Sequence, residues 1–301
     1  MKPQLFVAGI LLAIGTAISA HAREPGVPPT IPPGATMGVP IGAAPPPGLY
    51  FSSRSGYSDT RLKNGNGDNL GADVTIKDTA LQFLYVPGVK LWGGDYKAMI
   101  LFPYLHLDQS LSGAMGSGKA SDGALGNIEI RPIDLSWQIE PGVFVSAGLS
   151  IHAPTGQWEA SKPISTGGHF WTIAPSLGFS YLRDGWNASA HAIWFANTRN
   201  TDNDYRSGDE IGVNLTLLKD VGGVQIGPVA YYRQQTTDDD NGGTAYGGTR
   251  QGKARQLAFG LGVTRNFGAT EVNVIYTRDV VAENTLGGDR LWLNVSLPLK
   301  K

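Results

Sequence analysis

The chain has 301 residues, 24 basic and 25 acidic side chains, a formal net charge of -1, 41 glycines and no cysteine. The charge balance and the lack of a basic block argue against nucleic acid as a partner. The absence of thiols excludes a disulfide framework, a thiolate metal centre and a cysteine nucleophile. The mean hydropathy of -0.12 suits a soluble chain, but also a membrane β-barrel, whose strands show lipid only their alternate residues.

In chain order, Lys2, the apolar run Leu5–Ala20 and the small-x-small pattern Ala20-His21-Ala22 read as a secretory signal over residues 1–22, with a mature start at Arg23. The apolar run is interrupted by Gly9, Gly15 and Thr16 and is shorter than the ~20 residues a spanning helix needs. Residues 23–47 form a Pro/Gly-rich segment, with Pro28-Pro29, Pro32-Pro33 and Pro45-Pro46-Pro47. Proline has no N–H to give to a sheet interior. Two readings stay open for this segment, a flexible periplasmic arm or a plug inside a barrel, and composition favours the arm.

From Gly48 to residue 301 the pattern is strand after strand. Twelve begin near Gly48, Thr75, Asp95, Gly126, Val143, His169, Trp186, Glu210, Gly223, Arg255, Thr270 and Arg290. Leu257, Phe259, Leu261 and Val263 alternate with Gln256, Ala258, Gly260 and Gly262, and Leu291 to Leu299 alternate with Trp292, Asn294 and Ser296. A period of two means one apolar and one polar face. On this parity Leu261 faces outward and Gly260 inward, where a serine is expected to be tolerated. One strand slips phase: Ile128 and Ile130 lie on one parity, Ile133 to Ile139 on the other, with Pro132 between. A β-bulge there restores a continuous outer face.

The connections alternate short and long. Pro87–Gly94, Pro141-Gly142, Arg183–Gly185, Lys219–Gly222 and Phe267–Ala269 are short; Arg61–Asp73, Asp108–Leu125, Pro154–Gly168, Asn197–Asp209, Thr237–Ala254 and Glu283–Asp289 are long. That alternation, with an even strand number, is the topology of an outer-membrane barrel with periplasmic turns and outer loops. Aromatic residues near strand ends, among them Tyr85, Trp92, Trp171, Trp186, Trp194, Tyr205 and Trp292, suit interfacial girdles. The fold class expected is therefore an all-β transmembrane antiparallel barrel of about twelve strands over residues 48–301, located in the cell outer membrane after export.

Inward parity selects the candidate lumen-lining residues: Glu129, Arg131, Asp134, Ser136, Gln138, His152, His191, Asn214, Gln225, Arg233, Gln256 and Asn273. Charged groups inside a barrel line a wet path or pair with one another. The strand Asp95–Leu107 differs, with apolar residues on both faces. Its inner face suits either packing against the Pro-rich segment or an apolar solute wall. The acidic loop tips Asp202-Asn203-Asp204 and Asp238-Asp239-Asp240 lack the spacing of a calcium loop and read as solvated tips. There is no Gly-x-Ser-x-Gly and no His-Glu-x-x-His, so no catalytic residue, metal or cofactor is expected, and the oligomeric state is open.

Several segments in fixed order resemble a family. They are PPPGLY (Pro45–Tyr50), GNIEIRPIDLSW (Gly126–Trp137), APTG (Ala153–Gly156), GHFWTIAPSLGFSY (Gly168–Tyr181), YRSG (Tyr205–Gly208) and QQTTDD (Gln234–Asp239). Together the chain resembles the outer-membrane proteins of the MetA-pathway phenol-degradation family. The resemblance implies a barrel tied to uptake or catabolism of aromatic and other apolar compounds. The function expected is passive uptake of such solutes, with the solute and outer-membrane lipid as partners. The alternative is a structural or surface-interaction barrel with a closed lumen.

Overall fold

The computed structural model describes residues 23–248 and 251–300. The signal-like segment 1–22 lies outside the described residues. Twelve long strands follow in order: β1 (Gly48–Lys63), β2 (Asn69–Val86), β3 (Gly94–Leu111), β4 (Glu129–Glu140), β5 (Val143–His152), β6 (Thr172–Tyr181), β7 (Trp186–Asn197), β8 (Glu210–Asp220), β9 (Val224–Gln235), β10 (Arg255–Phe267), β11 (Thr270–Glu283) and β12 (Leu286–Lys300). Each pairs antiparallel with its neighbours. β12 pairs back on β1 from Leu286↔Leu62 to Lys300↔Leu49, which closes the barrel. Closure satisfies every ladder without an edge, as a membrane-spanning sheet requires.

The period of two sorts the side chains. Outward Leu177, Leu261 and Phe259 are 65%, 59% and 55% exposed, while inward Ala258, Ser180 and Thr277 are wholly buried. The outer belt is apolar because lipid covers it, and the inner face is polar because it faces protein. The phase slip at Pro132 is a bulge: Ile130 pairs with Ile151, and the next pair is Ile133↔Leu149. The extra residue turns both Arg131 and Asp134 inward.

Three expectations about strand limits are corrected, the first being the long connection placed at Arg61–Asp73, which is only residues 64–68 because β1 runs to Lys63 and β2 begins at Asn69. The strand placed near Gly126 begins at Glu129, and the preceding Gly118–Leu125 is a separate short strand on the outer half of β3. The connection placed at Glu283–Asp289 is a tight turn of Asn284 and Thr285, with Asn284 at φ +51°. Gly287 and Gly288 suggested a loop, yet both lie in β12 opposite Arg61 and Thr60. A Cβ on Gly288 would strike the Asp59 carbonyl, so that glycine serves close strand approach.

Residues 23–47 do not hang free. They run down the lumen from the outer-loop end at Arg23 to the periplasmic start of β1. Met37 is fully buried in a cluster with Leu218, Val229, Tyr231, Ala258, Ile275 and Trp292. Ile31 packs on Ala174, Ile193 and Phe195 of the β6–β7 wall.

Candidate functional site: the occupied lumen

The Pro-rich segment brings many carbonyls and few N–H groups into the barrel, so the wall must donate. It does so at nearly every turn. Asn187 Nδ2 donates to the Gly38 carbonyl at 3.2 Å, Ser146 Oγ to Ile41 at 3.1 Å and Ser136 Oγ to Gly42 at 2.7 Å. Lys97 Nζ reaches the Ile41 and Ala43 carbonyls at 3.4 and 3.3 Å. Arg54 Nη2 reaches Gly34 at 3.1 Å, and Arg233 Nη1 donates to Ile31. The N–H groups of Gly38 and Gly42 are taken by Thr216 and Ser180 hydroxyls at 2.8 and 2.9 Å. Irregular backbone at membrane depth survives because the lumen replaces water group by group.

Several charged side chains in the lumen are paired with one another. Arg131 Nε donates to Ser150 Oγ at 2.8 Å, Nη2 to Glu129 at 3.1 Å and Nη1 to Asp134 at 3.2 Å. Lys97 lies 3.5 Å from Asp134. Nearer the outer loops the Glu210 carboxylate is clamped between the guanidiniums of Arg23 and Arg233, and Arg233 stacks over Phe195 at 4.3 Å. Arg290 pairs with Asp279 at 2.7 Å.

The outer end is capped through one residue. The fully buried Glu24 carboxylate accepts from Trp158 Nε1 at 3.0 Å, Asn200 Nδ2 at 3.0 Å, Asn203 Nδ2 at 2.5 Å and the Tyr246 hydroxyl at 3.0 Å. These donors come from three outer loops, 153–171, 198–209 and 236–254. All four are neutral. Burial therefore outweighs them and pushes the Glu24 carboxyl above its ordinary range. The acidic tips are also tied into the protein: Asp239 accepts from Tyr205, from Gly208 N at 2.7 Å and from Gln235 Nε2 at 2.7 Å, while Asp204 and Asp240 both pair with Arg199.

A space is left between the segment and the wall. A cavity of about 70 Å³ is bounded by Val27, Pro28, Pro29, Pro32 and Pro33 on one side and by Val74, Ile76, Leu105 and Leu107 of β2 and β3 on the other. The inner face of the doubly apolar strand is thus both packed against the segment and exposed to this cavity. Asp78, Arg290, Gln109 and Gln256 supply its polar rim.

The residues selected by parity separate into three groups. Glu129, Arg131, Asp134, Ser136, His152, His191, Asn214, Arg233, Gln256 and Asn273 are buried inside the barrel. Of these, His191 Nδ1 and Asn214 Nδ2 meet the Thr36 hydroxyl at 3.0 and 2.8 Å, and Gln256 Nε2 donates to the Leu286 carbonyl at 2.8 Å. Both ring nitrogens of His152 are buried without a partner among the described residues. Gln225 is half-buried and Gln138 exposed, both near the periplasmic rim. Two aromatic residues grouped with the girdles lie inside instead: Tyr205 is buried at the outer hairpin and Trp292 lies beneath Arg54 at 4.7 Å. Arg23, Glu24, Asp78 and Glu210 escaped sequence reasoning. The partners of Arg23, Glu24 and Glu210 sit far away in the chain, and the usable signals were the inward parities of Asp78 beside Val74 and Ile76 and of Glu210 beside Asn214.

With this geometry in hand, the comparisons with known proteins are informative. A family model described as "Putative MetA-pathway of phenol degradation" matches residues 58–295. The chain belongs to this family. No curated protein matches the sequence. Among solved structures, the COG4313 outer membrane channel from Pseudomonas putida F1 aligns with a TM-score of 0.71 at 18% identity, covering 85% of this chain and 97% of that one. The translocator domain of the autotransporter NalP from Neisseria meningitidis aligns with a TM-score of 0.50 at 10% identity, over 86% of this chain and 91% of that one. Both likenesses are of fold. The chain is an all-β outer-membrane barrel.

Proposed function

We propose that the protein is an outer-membrane channel for passive uptake of small apolar and aromatic compounds, with residues 23–47 as its gate. The observation that carries this reading is the cavity between the proline-rich segment and the apolar inner face of β2 and β3. An apolar pocket with few polar groups is what a small uncharged solute needs. The family's link to phenol degradation and the channel named for the P. putida structure support the same direction. Selectivity comes from lumen polarity, and the protein acts as a conduit rather than an enzyme.

The filled lumen supports a second reading, a structural barrel that stays closed. Liposomes carrying the refolded full chain separate the two. The channel reading expects flux of toluene or phenol through the intact protein, and a larger, less selective flux after removal of residues 23–47. Aromatic flux no faster than in protein-free liposomes would leave the closed barrel as the answer.

A further inference from the structure

Asp78 is an inward residue of β2, opposite Gly56 of β1. A Cβ at Gly56 would land on the Asp78 carboxylate, so the missing side chain leaves the room in which that carboxylate lies. The carboxylate lines the apolar cavity. Among the described residues, no hydrogen bond and no ion pair within 4.0 Å ends on it.

The two guanidiniums that attract Asp78, Arg54 and Arg290, are committed elsewhere. Arg54 donates to the Gly34 carbonyl at 3.1 Å and stacks on Trp292. Arg290 holds Asp279 at 2.7 Å and the Leu286 carbonyl at 3.3 Å. Arg54 Nε is itself buried without a partner among the described residues. The cavity thus meets a half-buried acceptor that has no protein partner among the described residues, between apolar walls of proline, valine and leucine broken by Ser58, Gln109, Gln256 and Thr285.

We propose that Asp78 is a specificity-determining residue of this cavity, the hydrogen-bond acceptor that favours aromatic solutes carrying a hydroxyl over the bare hydrocarbons. This rests on the channel reading above. A hydroxyl donates to the carboxylate and restores what burial removed. A methyl in its place leaves the carboxylate unpaired, and a site built around a polar contact rejects such an analogue more strongly than an apolar pocket does. A dry cavity that admits benzene measures about 150 Å³, so a ring seats here only as the proline segment shifts outward. Binding at equilibrium is therefore the proper measurement.

The test is equilibrium dialysis of labelled phenol and toluene against the purified full chain in detergent, with protein-free micelles as the blank. The wild type is expected to hold phenol about tenfold more tightly than toluene, the size of one hydrogen bond to a charged group. Asp78→Leu removes that preference, and Asp78→Asn, which keeps an acceptor oxygen but not its charge, retains part of it. Gly56→Ala, which crowds the carboxylate, lowers it and serves if Asp78→Leu does not fold. Equal affinities in the wild type, with a buried water as the carboxylate's partner, overturn the proposal. So does an unchanged ratio in folded Asp78→Leu or, failing that variant, in Gly56→Ala. The channel reading fails separately: phenol bound with the expected preference but not carried into liposomes refutes transport and leaves the role of Asp78 standing.

Discussion

Replacing Glu24 by alanine is expected to loosen three outer loops at once. The carboxylate gathers four donors, and Asn200 is fully buried. A buried donor left without its acceptor costs about 1–3 kcal/mol. Trp158, Asn203 and Tyr246 lie on loops that can turn towards water, so their losses are partly recovered. The alanine variant also regains the desolvation cost of the carboxylate. A net loss of about 2–4 kcal/mol in local closure follows, or roughly 30- to 1000-fold in amide protection over the three loops. Hydrogen–deuterium exchange in detergent reads it directly. The sign of the pH effect is set by burial. Because the folded-state pKa is raised, the closed cap binds a proton more readily than the open one. Closure is tightest below the ordinary carboxylate pKa and weakens as pH rises through the raised value. Glu24→Gln mimics the protonated state. It is expected to hold the loops at least as well as wild type at neutral pH and to remove this pH dependence. Loop protection unchanged in Glu24→Ala, or a glutamine variant as loose as the alanine one, refutes the reasoning.

Other outcomes follow from the same contacts. Leu261→Arg places a charge on the outward apolar belt and is expected to cost about 2–4 kcal/mol if that position lies near the bilayer midplane, read from urea unfolding in detergent. Gly260→Ser, tolerable by parity alone, is expected to be as damaging, because a Cβ there would strike the Tyr276 carbonyl of β11; a serine variant with wild-type stability would show that the strands can part there. Arg233→Leu leaves Glu210 with Arg23 alone and is expected to cost about 3–5 kcal/mol, while Arg233→Leu combined with Glu210→Leu recovers much of that. A double variant no better than the single one would show that Arg233 acts through the Ile31 carbonyl and Phe195 instead.

Much of the barrel was legible because its cause is local. A strand with one face in lipid and the other in the lumen writes its period into the chain, as in Leu257 to Val263. The phase slip at Pro132 is equally local, and in the structure it is a bulge between Ile130 and Ile133. Turn chemistry was less reliable. Gly287 and Gly288 read as a loop, but they are glycines for strand approach, a reason that depends on the neighbouring strand.

The occupant of the lumen was not legible. For residues 23–47 composition favoured a free arm over a plug, because nothing in the segment can bury a core, and that remains true of it in isolation. They are ordered by donors scattered over the barrel, from Arg54 to Arg233, that no spacing rule connects. The same holds for Trp292, a girdle residue by position and a lumen residue by contact, and for Asp78, one acid among polar inward residues until the segment walls it in. The existence of the strands, their alternating faces and their order around the barrel could be read from the chain, because periodicity and turns are properties of neighbouring residues. Only the tertiary structure decided what fills the barrel and which polar groups are left over, because hydrogen-bond satisfaction in a closed lumen is settled between residues far apart in the chain.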